Sequence, residues 1–126
     1  KNNMATLTPT LTLASSDMNG DVLNLSVTDS LSILGQVTTK QVVASTTGVV
    51  FAAASMYTKS YVYLKNLSST AAEIITIEKA DSGDEYFTLG AGEFAFFPWA
   101  STVDLALDAA QGTPVLEVRI YQESAA

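Results

Sequence analysis

Tyr86-Phe-Thr-Leu-Gly-Ala-Gly-Glu-Phe-Ala-Phe-Phe-Pro-Trp99 holds six of the chain's eleven aromatic residues in fourteen positions. Two apolar runs flank Gly90-Ala91-Gly92, and glycine supplies the positive φ that a tight connection demands. The spacing predicts two strands joined as a hairpin, with Phe87 and Leu89 before the turn and Phe94 and Phe96 after it facing a core. Aromatic side chains bury large area for little lost rotamer freedom. A phosphate-binding glycine loop needs a helix N-terminus after it, and here an aromatic strand follows. The stretch therefore reads as the centre of a β-sandwich.

Outward from it the same period-two pattern recurs, which is the signature of strands. Tyr61-Val-Tyr-Leu-Lys-Asn66 is a strand, and Glu73 to Lys79 is another, with Ile75 and Ile77 on its core side and Thr76 and Glu78 opposite. Val103, Leu105 and Leu107 alternate with Asp104, Ala106 and Asp108. Leu116, Val118 and Ile120 alternate with Glu117, Arg119 and Tyr121. Upstream, Val37 to Ala44 is extended and Asp29 to Gln36 forms a weaker strand before Gly35. Val49 to Met56 carries signals for both strand and helix and is read as a strand running into a loop.

At the N-terminal end, residues 5–13 place Leu7, Leu11 and Leu13 on one face and threonines on the other. Pro9 puts this strand at an edge or interrupts it. Leu23, Leu25 and Val27 alternate with Asn24, Ser26 and Thr28 beyond a turn at residues 15–21. The two segments form either a hairpin or a Thr-rich arm that pairs with a neighbour. The expected architecture is an all-β, single-domain antiparallel β-sandwich, jelly-roll-like, over residues 21–126, with an N-terminal extended Thr-rich arm or edge strand at residues 1–20. Its expected core is Leu23, Leu25, Val62, Leu64, Ile75, Ile77, Phe87, Leu89, Phe94, Phe96, Leu105, Val118 and Ile120.

Composition bounds the function. A chain of 126 residues is long enough to bury a core without staples. It has neither cysteine nor histidine, which removes disulfides, thiolate metal sites and the commonest general base. A net charge of −7 repels phosphate backbones and anionic bilayers, so neither nucleic acid nor membrane is an expected partner. No apolar run reaches the length of a transmembrane helix, and Lys1-Asn-Asn-Met4 lacks a signal peptide's apolar segment. Charged residues make up 15% of the chain, against about 25% in ordinary domains. Thr, Ser and Ala replace them, which suits a subunit packed against others or a Ser/Thr-coated monomer.

Four constellations bear on chemistry. Asp81-Ser-Gly-Asp-Glu85 offers several oxygens from one loop but lacks the ligand periodicity of a calcium loop, and reads as a polar turn. Asp104 and Asp108 share a strand face about 13 Å apart, too far for a retaining carboxylate pair. The serines have no nucleophile motif and no base beside them. Tyr61, Tyr63, Trp99 and Tyr121 could stack on a sugar from an exposed face, or belong to the core or a subunit interface. No catalytic, cofactor or metal residue is assigned, and the chain is read as non-enzymatic.

Met4-Ala-Thr-Leu-Thr-Pro-Thr-Leu-Thr-Leu13 followed by Leu23-Asn-Leu-Ser-Val-Thr-Asp-Ser-Leu31 resembles the start of small virion structural proteins of tailed bacteriophages. The strand at 61–66, the Leu-Gly-x-Gly-Glu-Phe turn at 89–94 and Leu-Glu-Val at 116–118 are similar to the same group, while residues 37–56 fit least. The resemblance implies a capsid decoration or cement protein that binds the head as a homotrimer. Its partner would be the major capsid protein, and its place the virion after synthesis in the host bacterial cytoplasm. No catalytic residue comes with that family. Trp99 is expected to anchor a contact with a partner. The other expectation is a tail- or fibre-associated adhesion module that binds a host glycan through loops around Asp81 or Trp99.

Overall fold

The computed structural model describes residues 4–18 and 23–124. Its strands are β1 (Met4–Leu7), β2 (Thr10–Ser15), β3 (Leu23–Thr28), β4 (Leu31–Val43), β5 (Val49–Ala52), β6 (Ser60–Asn66), β7 (Ile75–Lys79), β8 (Glu85–Leu89), β9 (Phe94–Trp99), β10 (Leu105–Ala109) and β11 (Val115–Glu123). One 3-10 turn, Ala54–Met56, separates β5 from β6. All pairings are antiparallel.

Two sheets face each other, in the orders β1-β4-β11-β6-β9 and β5-β10-β7-β8. From β4 to β11 the chain changes sheet at every connection except the β7–β8 hairpin. That path is the jelly roll, with β1 added at one edge. The chain is thus an all-β sandwich, as its alternation predicts.

The core forms where the inner faces meet. Leu64, Ile75, Ile77, Leu107, Leu116, Ile120, Val62 and Val118 are fully buried. Each such Leu, Ile or Val contributes roughly 1.5–3 kcal/mol relative to exposure. Phe87 of β8 meets Phe97 of β9 edge-on at 5.7 Å, so an aromatic pair bridges the two sheets where they come together.

The expected core holds for Val62, Leu64, Ile75, Ile77, Leu89, Leu105, Val118 and Ile120, and Phe87 packs against it half-buried. It fails for Leu25, Phe94 and Phe96, which are exposed; the Leu23 side chain lies outside the described residues. On β9 the inward residues are Ala95, Phe97 and Trp99, one position out of phase with the expectation. Phe94–Trp99 is apolar on both faces, so alternation alone could not choose between them.

The opening stretch is also corrected. β8 pairs only with β7 and β9 only with β6, so Gly90–Glu93 is an arch between sheets and not a hairpin. The Glu93 amide donates to the Gly90 carbonyl and Gly92 takes φ +77°, a type II turn. Asn66, wholly buried, holds this arch. Its side-chain amide donates to the carbonyls of Glu73 (2.9 Å) and Leu89 (3.0 Å). Its backbone carbonyl accepts from Gly92 and its backbone amide donates to Glu93. The β6 end, the β7 approach and the arch are thereby tied at one residue.

β4 runs unbroken through Gly35, although residues 29–36 and 37–44 read as separate strands. Its first part pairs with β1 and its second with β11, so both halves are held from different sides. β2 and β3 pair only with each other. Met4↔Leu34 through Leu7↔Leu31 and Thr10↔Thr28 through Ser15↔Leu23 keep one continuous register. The break at Thr8-Pro9, where Pro cannot donate, is spanned by Asp29 N–H donating to the Pro9 carbonyl at 3.2 Å. β1–β2 and β3–β4 are therefore one long hairpin whose outer part leaves the sandwich as a free ribbon, about 20 Å long by strand rise. The expected division at residue 20 falls in the part of this hairpin outside the described residues.

Candidate functional site

Two surfaces stand out. The first is the outer face of the five-stranded sheet. Period-two alternation sends Tyr61, Tyr63 and Lys65 of β6 outward, opposite Pro98, Phe96 and Phe94 of β9. On the other side of β6, Tyr121, Arg119 and Glu117 of β11 stand opposite the same three residues. Tyr61 stacks on Phe96 (centroids 6.5 Å, planes 18° apart) and Tyr63 meets Phe94 at 6.5 Å. Phe94 is 62% exposed and Phe96 41%, while Tyr61 is buried beneath its neighbours. Phe94 and Phe96 thus present aromatic area to solvent on this face.

Cations edge this face. Lys59 Nζ lies 5.4 Å from the Tyr61 ring centroid and 3.6 Å from Glu123 Oε2, which also accepts from the Tyr61 hydroxyl at 3.1 Å. Arg119 donates to Glu117 at 3.1 Å, and that bond, then Tyr121, holds its guanidinium further above its ordinary value. Lys59, Lys65 and Arg119 are half of the six basic residues in a chain of net charge −7.

The second surface is the ribbon. Leu11↔Val27 and Leu13↔Leu25 form cross-strand pairs on one side, and Thr10↔Thr28 and Thr12↔Ser26 on the other. Leu11, Leu13, Leu25 and Val27 are each between 41% and 51% exposed. The charged residues of this region that the structure describes, Asp17 and Asp29, are both acidic.

Of the aromatics weighed as a stacking platform, Tyr61, Tyr63 and Tyr121 do share one face. Trp99 does not: it is 6% exposed, packs against Tyr57 at 5.9 Å, and its indole N–H donates to the Val103 carbonyl. It is a core residue and not a partner anchor. The residues missed were Phe94 and Phe96. Their signal was the six-residue apolar run 94–99, since a strand apolar on both faces has something to cover on both.

The weighed carboxylates are dispersed into local roles. Asp104 Oδ1 accepts from the Ala54 amide at 2.7 Å and so fixes the 3-10 turn. Asp81 lies 3.8 Å from Lys79 Nζ, and Asp84 accepts from Ser82 in the β7–β8 turn. Asp81 and Asp104 line one open hollow of about 420 Å³ with Ala80, Thr102 and Val103. Asp108 neighbours Glu78 on the outer face of the four-stranded sheet. There burial, then the Asp108 charge and hydrogen bond, then Glu85 push the Glu78 carboxyl above its ordinary value. Among the described residues no three His, Cys, Asp or Glu side chains converge as a metal site, and no helix is long and apolar enough to cross a membrane.

No protein-family model matches the sequence, and no curated protein matches it. Among solved structures, a chain from work on Bacillus endospore appendages, described as a family of disulfide-linked pili, is similar at 13% identity. The likeness covers 98% of this chain and 92% of that one with a TM-score of 0.43.

Proposed function

We propose that this chain is a non-enzymatic virion structural protein, a decoration or cement subunit that binds the head shell of a tailed bacteriophage and bridges its capsid subunits. The observation that carries this reading is the ribbon: the sandwich extends a two-stranded arm whose leucine–valine side is exposed among the described residues. Isolated two-stranded ribbons are marginal in water, so such an arm gains most when another surface covers it. The sequence resemblance to small phage virion proteins supplies the shell as the setting.

Purified protein added to bare heads should bind them and raise their resistance to heat and osmotic shock. Leu13→Asp should abolish that binding while the sandwich stays folded by circular dichroism. Absence of binding by the unaltered protein would refute the reading.

The Tyr63, Phe94 and Phe96 rings favour a second reading, an adhesion module that stacks on a host glycan. In that case a glycan array should give a ligand whose binding is lost with Phe94→Ala, and bare heads should be ignored.

A further inference from the structure

We propose that the open edge of β9 pairs antiparallel with β9 of a second copy, about a twofold axis at Ala95, and so joins two five-stranded sheets edge to edge. The inference does not rest on the cement reading.

The hydrogen-bond phase of β9 shows which of its groups are open. The Asn66 amide donates to the Glu93 carbonyl, and the register runs on through Leu64↔Ala95, Val62↔Phe97 and Ser60↔Trp99. Bonded pairs alternate along an antiparallel ladder, so Ala95, Phe97 and Trp99 turn their backbone groups to β6. Those of Phe94, Phe96 and Pro98 point away from the sheet, where β9 has no neighbouring strand among the described residues. Pro98 agrees with this phase, since its missing N–H falls on the open side. The other edges are short or guarded. β1 and β5 have four residues each, and β8 begins at Glu85 beside Asp84. β9 has six residues, and no charge occurs from Phe94 to Val103. A long uncharged edge is a template for another strand.

A second β9 fits that template in one register. With Phe94 opposite Phe96 of the other copy, each amide donates to the facing carbonyl, and the twofold repeats the exchange. Shifted one way, Pro98 faces Phe94 of the other copy, and its ring stands where a ladder donor belongs. Shifted the other way, Phe96 faces Gly92, which leaves the strand at φ +77° and already gives its amide to Asn66. The favoured register sets Ala95 against Ala95, the smallest side chains of the strand, where facing backbones approach most closely. It also sets each Glu93 opposite Phe97, four positions from the other Glu93. That is about 14 Å, beyond the screening length of about 8 Å at physiological salt. The net charge of −7 therefore has no like pair at this joint. The contact is smaller than the about 800 Å² per partner of a standard interface, so the dimer is concentration-dependent.

Light scattering on the full chain from about 10 µM to about 1 mM should show the mass climb from 13.3 kDa toward twice that value. Over the same range, hydrogen exchange at the Phe94 and Phe96 amides should slow severalfold with the dimer fraction. The Ala95 and Phe97 amides, already bonded to β6, should not change. Facing residues at the Ala95 position lie about 4.5 Å apart, within reach of a disulfide, and the chain has no cysteine of its own. Ala95→Cys should therefore oxidise to a covalent dimer, while Thr39→Cys, exposed on β4, should not. Phe96→Pro removes an edge amide without touching a bond to β6 and should give a folded monomer. The exchange readout uses the unaltered chain, so it decides even if that variant misfolds. A chain that stays monomeric to about 1 mM, a trimer, a dimer whose Phe94 and Phe96 amides exchange freely, a dimer that persists in folded Phe96→Pro, or an Ala95→Cys chain that does not cross-link would each overturn the proposal. A monomer that binds bare heads would remove this inference alone. A dimer that ignores bare heads would leave it standing and remove the cement reading.

Discussion

Asn66 and Phe96 show how differently two residues of adjacent strands contribute. Asn66 is wholly buried, and its side-chain amide donates to two carbonyls of other segments, those of Glu73 and Leu89. A buried acceptor left unpaired costs about 1–3 kcal/mol. Asn66→Ala should therefore lower unfolding free energy by about 2–4 kcal/mol in urea titrations. Phe96 looks the more important residue in the sequence, and burial of its ring would make truncation cost about 3–5 kcal/mol. Its ring is open on one side, so Phe96→Ala should cost under about 1.5 kcal/mol in the same titration. The ranking reverses because an asparagine at a strand end reads as a turn signal, and nothing local says that three segments converge on it.

Among elements, the strands themselves are legible and their partners are not. Alternation in Leu105–Ala109 or Val115–Glu123 places strands because one face of each is buried in the core. Gly90-Ala-Gly92 serves a hairpin and an arch equally well, since both need the same turn. The choice is made by which strands lie beside β8 and β9, a non-local matter. The same holds for the face of β9. The candidate surface was half legible: Tyr61, Tyr63 and Tyr121 share a face by spacing alone, but their β9 partners emerge only from the register. On the other sheet, the β7–β10 pair brings Glu78 beside Asp108, an arrangement not visible from spacing. The native chain holds a proton on Glu78 at pH values where the unfolded chain has released it. Stability from this site is therefore fully present below the ordinary value of 4.5 and is lost as pH rises from there through the raised native value. Glu78→Gln should raise Tm at neutral pH, and its advantage over wild type should shrink on acidification through that window.

At the scale of the whole molecule, body and arm are separable. Among the described residues the ribbon adds nothing to the core cluster, and it joins the sandwich where Asp29 N–H meets the Pro9 carbonyl. Replacing residues 10–28 by an Asn-Gly turn should leave β1 and β4 as a short hairpin, with Tm within about 4 °C of wild type. The same shortened chain should fail to bind bare heads. Stability and binding would then reside in different parts of one small chain.

The unbroken register across the Pro9 break has a consequence for how such a chain can vary. Lengthening both strands by the same even number of residues moves the tip outward in steps of about 6.8 Å and keeps every leucine on its side. Removing a single residue, such as Thr12, turns the remainder of that strand over and exchanges its aliphatic and threonine sides. The arm is graduated like a ruler. Its reach can be reset in whole divisions to suit a wider or narrower spacing between neighbours, while the jelly roll behind it stays unaltered.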